Sequence, residues 1–98
     1  MLKAVEAVQR YTAGMTFQDF TADRKTVDAV VRNLIIIGEA AVRVPDKVCL
    51  NYPGIPWYEI RGMRNFVVHE YFGVSDRILW DTIQIDLPPL EGLLRNVL

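Results

Sequence analysis

The segment between Asp23 and Pro45, RKTVDAVVRNLIIIGEAAVRV, restricts the fold more than any other part of the chain. Asp23 can cap a helix, and Pro45 stops one because proline disfavours helical geometry in the residue before it. Asp28, Arg32, Glu39 and Arg43 follow at spacings of four, seven and four, so a helix gathers them into one polar stripe. Val27, Val30, Val31, Leu34, Ile35, Ile37, Ala41 and Val44 then cover a wider arc than a one-sided amphipathic helix needs. The pattern predicts a central helix over 24–44, covered on more than one side.

The flanking segments supply the cover. Met1, Ala4, Val5, Val8 and Tyr11 recur at helical spacing until Gly14 ends the run, and Thr16 can cap a short turn through Phe20. Residues 45–55 read as a loop with one helical turn around Lys47. Pro56 suits a first helical position and opens WYEIRGMRNFVVH. Gly73, with Ser75 or Asp76 as cap, separates this helix from a last one beginning RILWDTI, which Pro88 should break or kink before LEGLLRNVL resumes. No stretch alternates as a strand does. The fold class expected is all-α, a bundle of four or five helices.

At 98 residues the chain holds one domain, 1–98, and half of its residues (51%) are hydrophobic. That exceeds what one small core absorbs, so a homodimer or larger assembly is expected. The net charge of −1 excludes a generic nucleic-acid binder, and any RNA contact must be local. Only Lys3, Lys25 and Lys47 among the eleven basic residues are lysines, which favours oriented, bidentate contacts. Cys49 is the only cysteine, so no intrachain disulfide and no Cys-rich zinc site can form. The start, MLKAVEAVQRY, is not a signal peptide, and the apolar run Leu34 to Ile37 is too short to span a bilayer. A cytoplasmic protein without metal or cofactor is expected.

His69 is the only histidine. On a helix it shares one face with Arg61 and Asn65, and with Tyr58 and Gly62, while Ile60, Met63 and Val67 suit the core. Gly62 lets a ligand approach the backbone, and Arg61 is a candidate to hold substrate. Arg64 is harder to place, because five helical residues separate it from His69 by about 140°. Three arrangements stay open: the helix ends or distorts near His69, Arg64 meets a histidine of a second protomer, or Arg64 is structural.

Arg64, four residues, His69, one residue and Tyr71, with Asn65 after the arginine, resemble the motif of HEPN-domain ribonucleases. The blocks YTAGMTFQDF, ADRKTVDAVVRNLIIIGEAA, IPWYEIRGMRN and LWDTIQIDLPPL, in order, are similar to the HepT-like toxins of that superfamily. The resemblance covers nearly the whole chain. It implies a helical HEPN bundle that homodimerises, with motif residues of both subunits lining a cleft. It also implies metal-independent RNA cleavage, with Arg64, His69 and Asn65 as catalytic residues. The partner implied is an MNT-type nucleotidyltransferase antitoxin that adds AMP groups to Tyr71. Two departures stand out. Residues that usually precede the first helix are missing, which leaves open a truncated N-terminus, and Glu70 sets a carboxylate beside the site.

The inventory suits that reaction. A 2′-hydroxyl can attack its own phosphate if a base, an acid and a stabiliser of the developing charge are present. An imidazole titrates near neutrality, and a guanidinium holds two phosphate oxygens without losing its proton. One imidazole per chain cannot serve as both acid and base, whereas a twofold dimer brings two. The runner-up is a non-catalytic subunit that docks a nucleotidyltransferase and positions its substrate. A degenerate, purely structural domain is the third alternative.

Overall fold

The computed structural model describes the backbone of residues 1–70 and 75–97 and the side chains of 1–63 and 75–97. Among the described residues the secondary structure is entirely helical. Helix α1 spans Leu2–Thr12 and buries Ala4, Val5, Ala7 and Val8. Thr12 completes this stripe instead of Tyr11, which is exposed. The Thr12 hydroxyl tolerates burial because it donates to the Val8 carbonyl at 2.9 Å. Gly14 then turns the chain at φ 77°, a conformation that a Cβ penalises.

Thr16 caps α2, Phe17–Ala22, in a reciprocal capping box with Asp19. This helix runs two residues beyond its expected end. Its Phe20 is fully buried, with its ring 5.4 Å from that of Trp80, and Phe17 meets the same indole edge-on at 6.4 Å. Asp23 caps α3, Arg24–Val42, by accepting from the Thr26 amide at 3.2 Å and the Thr26 hydroxyl at 2.8 Å. Those bonds hold the Asp23 carboxyl below its ordinary pKa. Its stabilisation is therefore complete at neutral pH and is lost only as pH falls below about 4.

Helix α3 is the central rod the sequence predicts. Val27, Val30, Leu34, Ile37 and Ala41, alternately three and four apart, are all nearly or fully buried. The rod packs chiefly on α1 and on α5, and at its start on α2 and α6. It stops at Val42, short of the expected Val44, before the proline. The stretch expected to be a loop with one turn instead holds α4, Asp46–Asn51. Helix α5, Trp57–Glu70, begins one residue after Pro56, whose carbonyl accepts from the Ile60 amide at 3.0 Å. Ile60 is buried and Met63 packs on the core, as expected; the Val67 side chain lies outside the described residues.

Ser75 caps α6, Asp76–Asp81, by accepting from the Ile78 amide at 3.2 Å. Gly73, the expected separator, lies outside the described residues. The proline pair does not break the last helical run. A π turn, Thr82–Asp86, leads from α6 into α7, Leu87–Arg95, with Asp81, Thr82, Asp86 and Leu87 all in right-handed helical geometry. Pro88 and Pro89 thus occupy the first turn of α7, where the missing amides cost least. The wider turn before them absorbs the interruption. Arg95 closes the bundle, pairing with Glu91 at 2.6 Å and with Glu6 of α1 at 3.6 Å. No helix among the described residues is long and apolar enough to cross a membrane.

Candidate functional site

The candidate site is built on α5, and its frame begins with Arg61. The Arg61 guanidinium turns to the end of α3, where Nε donates to the Ala41 carbonyl at 3.1 Å and Nη2 to the Val44 carbonyl at 3.3 Å. Nη2 also lies 3.1 Å from the Cys49 sulfur, which is half-buried beneath it. The end of α3 needs such a donor, since the last carbonyls of a helix have no partner within it. A cation there also complements the helix dipole. Arg61 thus ties the start of α5 to the end of α3, and the two helices run antiparallel.

Replacing Arg61 by alanine is expected to cost about 2–3 kcal/mol, because charge-assisted bonds are lost and carbonyls are left short of donors. Thermal unfolding should show the midpoint lowered by roughly 10 °C or more. Arg61→Lys should recover less than half of this, since an ammonium cannot reproduce the fork.

Beyond Arg61 the helical backbone continues to Glu70 and sets the positions of the motif residues. Positions 65 and 69 follow Arg61 at successive intervals of four. Position 69 also lies about 20° from Tyr58 and from Gly62 around the axis. Tyr58 is 85% exposed and Gly62 is exposed as well. A Cβ built on Gly62 would meet nothing within 4 Å. Position 64 falls elsewhere. It lies about 40° from the buried Ile60 and about 20° from the half-buried Trp57, in the sector α5 turns to the core. The side chains of Arg64, Asn65, His69 and Glu70 lie outside the described residues, as does Tyr71 altogether.

The largest concave surface is a groove of 740 Å³ between α5 and the run from α6 to α7, lined by Leu34, Met63, Ile78 and Ile85 and edged by Glu59 and Asp86. Apolar walls and two carboxylates do not suit a phosphate chain. Nor do the described residues bring together three His, Cys, Asp or Glu side chains able to hold a metal ion.

One cluster near the motif has no signal in the sequence beyond a capping role. Asp76, the first residue of α6, accepts through Oδ2 from the Thr21 hydroxyl of α2 and from Arg24 Nη1 of α3, the latter at 2.7 Å. The Thr21 bond first, and then Arg24, hold the Asp76 carboxyl below the usual carboxylate range.

Comparison with known proteins agrees with this architecture across the chain. Residues 1–97 match the family described as Ribonuclease HepT-like. A protein of Thermococcus cleftensis named Probable ribonuclease HepT is 43% identical over 90 residues, covering 92% of this chain and 82% of that protein. A protein of Caldanaerobacter subterraneus, provisionally named an RNase, is 40% identical over 98 residues, covering 100% and 88%. Another of that provisional name, from Methanocaldococcus jannaschii, is 32% identical over 101 residues, covering 99% and 84%. No solved structure matches the chain. With the family matched from end to end and the helical order in accord with it, the chain belongs to the HepT-like ribonuclease family.

Proposed function

We propose that this protein is a metal-independent endoribonuclease toxin that works as a homodimer, with His69, Asn65 and Arg64 as catalytic residues and RNA as substrate. The observation that carries the reading is the continuity of α5 through Glu70. A helix unbroken past position 69 keeps positions 64 and 69 about 140° apart, so one copy cannot easily turn both groups to one phosphate. A second copy can. Family membership supports the same reading.

In this reaction the 2′-oxygen attacks phosphorus and loses its proton to the imidazole of one protomer. The imidazolium of the other protomer protonates the departing 5′-oxygen, leaving a 2′,3′-cyclic phosphate and a 5′-hydroxyl. Arg64 neutralises the charge that develops on the phosphorane oxygens, and Asn65 orients the imidazole or a phosphate oxygen. Arg61 belongs to the frame of the site. A second role for Arg64 has its own support, because position 64 falls in the sector of Trp57 and Ile60. Arg64→Ala that loses stability in step with activity assigns it to the frame, and lost activity at unchanged stability assigns it to the phosphate.

The partner in this reading is a nucleotidyltransferase antitoxin that transfers AMP from ATP to the Tyr71 hydroxyl, releasing pyrophosphate. The added bulk and negative charge oppose phosphate entry. Mass spectrometry of the co-expressed chain should show adenylate masses that vanish in Tyr71→Phe; an unchanged adduct discards Tyr71. The test of the enzyme is purified protein with RNA in EDTA. Cleavage to cyclic phosphate ends is expected. Intact RNA, together with harmless expression of a soluble dimer, overturns the reading in favour of a docking subunit.

A further inference from the structure

Arg61 ties the start of α5 to Ala41 and Val44 at one end of α3, and Asp76 meets Arg24 at the other end. The motif residues 64–71 fall between these two ties. Along α3, Arg24 and Ala41 stand roughly 25 Å apart, while α5 rises roughly 13 Å from Arg61 to Glu70. Residues 71–75 therefore join ends separated by roughly 12 Å, against a limit of roughly 20 Å for that length of chain. The second tie consequently governs where the end of the motif can lie.

We infer that Asp76, held by Thr21 and Arg24, is a positioning residue for the ribonuclease motif, anchoring the far end of the connection that carries Tyr71. Three features argue for a positioning tie beyond a helix cap. Ser75 already supplies the α6 cap, so the Asp76 carboxylate is not needed for that purpose. Both donors come from distant elements, 55 and 52 residues earlier in the chain. One of them, Thr21, is a short side chain that reaches Oδ2 only when α2 and α6 are in close register. The aromatic contacts of Phe17 and Phe20 with Trp80 join the same two helices and would keep them associated without the carboxylate. Removing Asp76 therefore loosens the connection more than it loosens the fold.

This inference rests on the ribonuclease reading for its catalytic consequence and stands apart from it in its physical one. The experiment uses the full-length chain as Asp76→Ala, Asp76→Asn and Arg24→Gln, measured for RNA cleavage and for amide hydrogen exchange. In Asp76→Ala, kcat should fall about tenfold to a hundredfold through misplacement of the reacting groups, with KM held within about twofold. The unfolding midpoint should drop by only about 5 °C. Asp76→Asn, which can still accept from Thr21, should recover part of kcat, and Arg24→Gln should resemble it. Amide exchange at residues 69–75 should quicken about tenfold, while that of α1 and α3 stays unchanged. A kcat within twofold of wild type overturns the inference, as does a loss that cooling fully restores. If the wild type leaves RNA intact, the ribonuclease reading fails alone; unchanged exchange at 69–75 then overturns the positioning role too.

Discussion

Replacing His69 by alanine is expected to lower RNA cleavage by about a hundredfold to ten-thousandfold, the range associated with losing a general acid or base. The unfolding midpoint should stay within about 3 °C of wild type, because an exposed substitution seldom costs more than about 0.5 kcal/mol. The second part rests on register, since position 69 aligns with the exposed Tyr58 and Gly62, on the side of α5 opposite Ile60. Mixed dimers sharpen the test. If base and acid are the two imidazoles of one dimer, activity in mixtures of wild type and His69→Ala falls as the square of the wild-type fraction. If one imidazole suffices, the fall is linear and the two-imidazole mechanism is discarded. Full activity in His69→Ala would remove the histidine from the reaction altogether.

The largest loss of stability among the described side chains is expected at Phe20. Its ring is fully buried where α2 packs on α3 and on the indole of Trp80. Phe20→Ala removes its transfer energy and leaves a cavity, together about 3–5 kcal/mol. Against a total of about 5–15 kcal/mol for a domain, much of the stability would be lost. Thermal denaturation followed by circular dichroism should show a midpoint lowered by roughly 15–30 °C. Phe20→Leu keeps most of the volume and should lose much less. A midpoint shift below about 5 °C in Phe20→Ala would mean that α2 contributes little to the fold.

The local elements are legible to a large degree. Asp23, Thr16 and Ser75 act as caps in the structure, and the α3 stripe from Val27 to Ala41 is the buried one. The misreadings have local causes. Tyr11 and Thr12 are both compatible with the α1 stripe, and hydrophobicity favours the tyrosine, although a hydroxyl bonded to its own helix is as easily buried. The stretch after Pro45 reads as loop because its six-residue helix is too short for a periodic signal. Pro88 and Pro89 read as a break because a proline removes an amide; the π turn shows how the backbone can rearrange one turn earlier.

The candidate site divides in the same way. That Arg61, Asn65 and His69 share a face comes from an interval of four on any helix, and the motif resemblance rests on residue types in order. Nothing in those intervals indicates that Arg61 turns to α3.

Sequence alone determined the helices, their ends, the stripe that becomes the core and the family, because each depends on residues within about one or two turns of one another. Tertiary structure decided which polar groups meet. Arg61 finds the Ala41 carbonyl across 20 residues, and Asp76 finds Thr21 across 55. Such pairs carry no period, and the same arginine or aspartate would read equally well as a solvated charge. Only packing two helices against a third removes enough water for one donor to matter to one acceptor, and that is a property of the assembled bundle.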